Sequence, residues 1–141
     1  MTSPELENLA RIGKLKREPP APRELAGLLD SARERLVDAV QATLNYSSRF
    51  DLAYNAAHAL ALYALRHKGF RSDNRYLVFQ ALPHTAGLPL PQWRVLAKAH
   101  ERRNLAEYEG HLEHDPQLLS DVIAAARQLL ALIDAIESAR R

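Results

Sequence analysis

Apolar residues along the chain recur three and four positions apart, and no stretch alternates apolar with polar residues, so the pattern predicts helices and not strands. Ser3 followed by Pro4 marks a helix start and opens a short helix to about Leu15. Pro19, Pro20 and Pro22 interrupt it, because each ring removes a backbone donor and fixes φ. A second helix is predicted from about Pro22 to Leu44, with Leu25, Leu29, Ala32, Leu36, Ala39 and Thr43 on one stripe. Ser48, with Asp51 three residues on, predicts the start of a third helix, which runs to about Lys68 and stops at Gly69. Its interior holds Ala53, Ala56, Ala57, Ala59, Ala61 and Ala64, small side chains that let neighbours approach closely and mark it as the central helix. Asp73 is expected to cap a fourth helix carrying Tyr76, Leu77, Phe79, Gln80 and Leu82. A Pro- and Gly-containing connection from Pro83 to Pro91 leads into a fifth helix ending at Gly110. Asp115-Pro116 opens the last helix, where Leu119, Val122, Ala126, Leu129, Ile133 and Ile136, broadened by Ile123 and Leu130, form a stripe suited to a bundle core.

The expected fold class is therefore all-α: a single-domain bundle of five to six helices over residues 22–141, preceded by a helical extension and Pro-rich linker over residues 1–21. A length of 141 residues suits one domain, and 47% hydrophobic with 26% charged residues is globular composition. With no Cys, disulfides, thiolate metal sites and cysteine nucleophiles are excluded. The first twenty residues carry charges throughout and no apolar h-region, and the longest apolar run, Ala59 to Leu65, is far too short to span a bilayer. The expectation is a cytoplasmic protein with no membrane partner.

The net charge of +2 conceals an asymmetry. Residues 49–103 carry nine basic and three acidic groups, whereas residues 104–141 carry three basic and seven acidic ones. Arg66, Lys68, Arg71 and Arg75 surround the turn after the central helix, and Arg94, Lys98, Arg102 and Arg103 follow. Clustered on one face, such groups attract a phosphate backbone. The alternative is that basic and acidic segments neutralise each other across the bundle and complement helix ends.

Polar function is densest at His100-Glu101-Arg102-Arg103-Asn104-Leu105-Ala106-Glu107-Tyr108-Glu109-Gly110-His111. At about 100° per residue, His100, Arg103 and Glu107 fall near the line of Leu96 and Ala99, with Asn104, Tyr108 and His111 on its flank. A guanidinium on that semi-apolar face must be paired or must meet an anion. Pairing with Glu107, one turn later, is one explanation; lining a cleft or subunit interface is the other. On the central helix, Tyr54 and His58 stand one turn apart, and Asn55 or His58 is placed to face Arg103 if the two helices pack. Trp93 reads as a packing anchor, with base stacking the alternative. His111, Glu113 and His114 lack a third ligand at characteristic spacing, so neither a metal nor a cofactor is expected. No Gly-rich phosphate loop or nucleophile elbow is present.

Three segments together resemble the HEPN (higher eukaryotes and prokaryotes nucleotide-binding) family: AYNAAHALALYALRHKGFR at 53–71, the LPHTAGLP connection, and RNLAEY at 103–108. The resemblance spans roughly residues 25–137. It implies a small all-α fold and, for many members, metal-independent ribonuclease activity in toxin or defence systems. Their signature is an Arg, four to six residues, then a His, and their active sites form where two such motifs meet in a homodimer. Carried over, Arg103 matches the motif arginine and Asn104 the polar residue that follows it. Tyr108 stands where the histidine is expected. Attack by a ribose 2′-hydroxyl needs a proton acceptor near neutral pH, a role that histidine (pKa about 6.5) fills and tyrosine (about 10) fills poorly. On this reading Tyr108 hydrogen-bonds phosphate, and His100 or His111 takes the proton. The competing expectation is a non-catalytic nucleotide- or protein-binding module, partnered with a nucleotidyltransferase or an antitoxin.

Overall fold

In the computed structural model residues 3–139 are described, and seven helices and one two-stranded ribbon lie among them. The outermost positions of the two expected segments, 1–2 and 140–141, lie outside the described residues. The helices are α1 (Pro4–Arg11), α2 (Pro22–Ala39), α3 (Tyr46–His67), α4 (Arg75–Gln80), α5 (Leu82–Thr85), α6 (Leu90–Glu109) and α7 (Pro116–Ala139). The strands are β1 (Lys16–Arg17) and β2 (Phe70–Arg71), which pair antiparallel with Lys16 opposite Arg71. Among the described residues no helix is long and apolar enough to cross a membrane.

α3 is the hub, packing against α2, α4, α5, α6 and α7. All six of its named alanines are buried, and Leu60, Leu65, Tyr54 and Tyr63 fill the spaces between. α7 closes the core with Leu119, Val122, Ala126, Leu129 and Ile133. An ion pair of 2.6 Å between Arg33 and Asp134 ties its far end to α2. At its near end, the Asp115 carboxylate accepts from the Leu118 amide, and this hydrogen bond is the main reason its pKa is lowered.

Several boundaries differ from the pattern-based expectation. α2 stops at Ala39, short of Leu44, because Arg49 Nε captures the Ala39 carbonyl at 2.8 Å and the chain turns through Gln41–Leu44. α3 begins two residues before Ser48: Tyr46 anchors its first turn, donating to the Asp115 carbonyl at 3.0 Å and packing on Phe50 and His114. Asn74, one residue after Asp73, caps α4 by accepting from the Leu77 amide at 3.0 Å. The connection after α4 contains a helical turn, α5, held by the buried Leu82. At the end of α6, Gly110 takes the left-handed conformation (φ 69°) and its amide returns to the Ala106 carbonyl.

The N-terminal segment is built into the core. Leu6 and Leu15 are buried in the same cluster as α3, and α1 ends at Arg11, short of Leu15, because the chain turns there to pair β1 with β2. The closure is an ionic clasp around Arg66, whose side chain is 1% exposed. Its guanidinium donates to the carbonyls of Glu18 (2.8 Å), Pro19 (2.9 Å) and Phe70 (3.1 Å). It also pairs with the carboxylates of Glu24 (2.8 Å) and Glu18 (3.1 Å). Arg71 pairs with the same two carboxylates from the solvent side. Burial pushes the Glu24 pKa up, but the hydrogen bonds and charges of Arg71 and Arg66 outweigh it and hold it below the usual value.

Candidate functional site

Arg66, Arg71 and Arg102 are taken up by ion pairs within the fold, as the neutralisation alternative has it, and do not form a free surface patch. Arg66 is a correction: its guanidinium is sealed inside the clasp, because three backbone carbonyls near residues 18–19 and 70 need a donor there. Arg71 is committed to the same clasp. Arg102 ties α6 to the start of α7 through Glu113 (3.2 Å) and Asp115 (3.4 Å). Lys68 is the half-buried C-cap of α3. Arg75 turns toward the 100–108 block, with its guanidinium carbon over the Tyr54 ring.

There α3, α4 and α6 meet around the ring of Tyr54, a residue only 1% exposed. The Arg103 guanidinium carbon lies 5.0 Å from the ring centroid and that of Arg75 lies 5.8 Å from it. Phe79 packs on the ring at 5.7 Å, and Trp93 fixes that part of α4 by donating its indole N–H to the Phe79 carbonyl at 2.7 Å. Trp93 is thus a half-buried packing anchor. The Tyr54 hydroxyl meets His100 Nδ1 at 2.9 Å, and Asn104 Nδ2 donates to His100 Nε2 at 3.1 Å. With the Asn104 amide nitrogen as donor to Nε2, the ring proton sits on Nδ1 and donates to Tyr54 Oη.

The two guanidiniums are held differently. Arg75 donates to the Asn55 amide oxygen at 3.1 Å and, among the described residues, pairs with no carboxylate. Arg103 pairs with Glu107 at 3.0 Å across one helical turn; its side chain is 28% exposed, that of Glu107 60%. On its other side Arg103 borders a shallow hollow shared with Ser47, Asp51 and Glu107.

Burial is the chief cause that lowers the His100 pKa, helped by Arg103 and Arg75 and opposed by Glu107. His58, edge-on to Phe79 at 5.7 Å, is lowered to about 4 by burial and by Arg75, His100 and Arg103. Burial raises the Tyr54 pKa, with Arg75 and Arg103 opposing. At neutral pH the centre therefore holds two cations, two neutral imidazoles and a neutral phenol, with one solvent-facing carboxylate on Arg103.

His100, Arg103 and Asn104 thus stand together, and Asn55 and His58 join them from α3. Tyr108 stands apart from the Tyr54 ring: it is 90% exposed and lines a groove of about 610 Å³ on the outer side of α6, to whose lining His100 and Asn104 also belong. His111 lies beyond the group, at an exposed position just past α6. Pattern reading did not assign Tyr54 a central role, although its place one turn before His58 on the alanine-rich face was a usable signal. The approach of Arg75 had no signal, since it depends on the short α4 folding back between α3 and α6.

No family model, curated protein sequence or solved structure matches the chain.

Proposed function

We propose that this chain is an HEPN-type RNA-acting protein of a toxin or defence system, with Arg103 contacting a phosphate of the RNA backbone. The observation that carries this reading is the convergence of Arg75 and Arg103 on one tyrosine ring, beside a neutral histidine. Two like charges drawn together, with Arg75 paired to no carboxylate among the described residues, favour an incoming anion, and a planar guanidinium grips a phosphate by two parallel donors.

In the ribonuclease form of the proposal, the exposed Asn104 amide yields His100 Nε2 to the substrate. Nε2 takes the proton of the ribose 2′-hydroxyl, the 2′-oxygen attacks phosphorus, and the bond to the 5′-oxygen breaks, leaving a 2′,3′-cyclic phosphate. The 5′-oxygen leaves with a proton taken from solvent, and the guanidiniums stabilise the charge on the phosphorane oxygens. The second reading is a non-catalytic module, homodimeric or paired with a nucleotidyltransferase or antitoxin. It is favoured by the exposure of Tyr108, at the motif-histidine position, and by the occupation of both His100 nitrogens.

Incubation with labelled RNA in chelator-containing buffer tests both. Cyclic-phosphate ends that disappear with Arg103→Ala and His100→Ala establish cleavage. Binding lost with Arg103→Ala, without any cleavage by the wild type, establishes the module. If Arg103→Ala changes neither, the proposal fails. The variant is expected to fold, because a half-exposed pair across one helical turn and one cation–π contact together contribute only about 1 kcal/mol.

A further inference from the structure

The groove on the outer side of α6 is unaccounted for by the phosphate contact. Tyr76 of α4, 42% exposed, and Tyr108 of α6 both line it, and His100 and Asn104 form part of its floor. Tyr76 is supported from behind by the His100 ring, with centroids 5.5 Å apart, so its ring has a seated position. Arg94 and Lys98, both exposed, also line the groove. Glu101 lies among them, and Leu105, 45% exposed, provides apolar surface.

We infer that this groove is a nucleobase-binding slot for single-stranded RNA, in which bases stack on Tyr76 and Tyr108 while the backbone follows Arg94 and Lys98. Stacking on exposed aromatic faces is the means by which single strands are held without a fixed sequence, and flanking cations track their phosphates. The groove also offers edge-reading groups: the Asn104 amide both donates and accepts, and Glu101 accepts from an exocyclic amine. The groove adjoins the phosphate site. His100 and Asn104 belong both to the groove floor and to the cluster around Tyr54, so a strand whose phosphate sits at Arg103 lays its neighbouring base on this surface. A second copy of the chain is the competing occupant, and it would have to bury the exposed Arg94 and Lys98 with Glu101 the one carboxylate among the groove's lining residues.

The inference rests on the phosphate reading, and the experiment separates the two. Fluorescence anisotropy is measured with a labelled 12-nucleotide single-stranded RNA and with an abasic oligonucleotide of equal length and charge. Binding of the RNA about tenfold tighter than the abasic strand is expected, with Tyr108→Ala and Tyr76→Ala each erasing most of that margin and Tyr108→Phe and Tyr76→Phe retaining it. Arg103→Ala should weaken both ligands alike. Equal binding of the two strands, with Arg103 still required, overturns the slot and leaves the phosphate reading intact. No binding of either overturns both. If the tyrosine variants instead dissociate a dimer in sedimentation equilibrium without altering RNA affinity, the groove is a subunit interface and the inference fails. Tyr108 is so exposed that its replacement leaves the fold undisturbed.

Discussion

Replacing Arg66 by Met removes the buried charge but keeps most of the side-chain volume. The carboxylates of Glu18 and Glu24 retain Arg71, and both are solvated enough to rehydrate. The uncompensated loss falls on three carbonyls. That of Phe70 is fully buried in its hydrogen bond, while those of Glu18 and Pro19 are partly reachable by water. At about 1–3 kcal/mol for a buried acceptor and about 0.5–1 for each of the others, the expected destabilisation is about 3 kcal/mol. Arg66→Ala also loses the packing of the methylene stem, for a total of about 5 kcal/mol. Urea unfolding followed by far-UV circular dichroism at pH 7 measures both, and about 3 kcal/mol corresponds to a fall in Tm of roughly 10 °C for a chain of this size. The carbonyl penalty does not titrate, whereas the wild-type clasp itself should weaken in acid. Glu24 has its pKa lowered in the folded state, so the stability it contributes is present above its unfolded value and is lost as pH falls. A loss below about 1 kcal/mol for Arg66→Met at pH 7 refutes the assignment of this network as the closure of the N-terminal segment.

The half-buried imidazole of His58 predicts a second acid sensitivity. Folded, it stays neutral down to about pH 4, whereas the unfolded chain takes up a proton below about 6.5. Stability is therefore present above pH 6.5 and falls by about 2 kcal/mol, after allowance for partial solvation, as pH drops toward 4. His58→Gln should flatten that portion of the profile in urea titrations, and an unchanged profile refutes the burial argument. At the end of α6, Gly110→Ala imposes a side chain on a left-handed backbone (φ 69°) and should cost about 1 kcal/mol in the same measurement. A neutral result means that the turn relaxes.

Where the information for a feature is local, the chain announces it. The spacings in α7, the alanines of α3 and the Asp115-Pro116 start need only neighbouring residues to be understood. Boundaries shifted where a distant group took over a terminus: Arg49 reached back to Ala39, and Tyr46 found the Asp115 carbonyl. The basic cluster around Gly69 illustrates the same limit in charge. Counting the cations at 66–75 gives a surface patch, but Arg66 and Arg71 find Glu18 and Glu24 more than forty residues upstream. Nothing in local spacing reports such a pairing. The candidate site was legible on its α6 side, where Arg103, His100 and Asn104 lie on one helix. It was illegible on its α4 side, because Arg75 and Tyr76 acquire their roles only when six residues of helix are laid against two others.

That small helix carries a further consequence. Six residues cannot sustain helical structure alone in water, so α4 owes its conformation to its neighbours. An occupant gripping Arg75 and Arg103 at once would rivet it to α6 across the Pro83–Pro89 bend. Occupancy and the integrity of this segment would then be coupled, and backbone amides at 75–80 would exchange with deuterium more slowly when the anion is held.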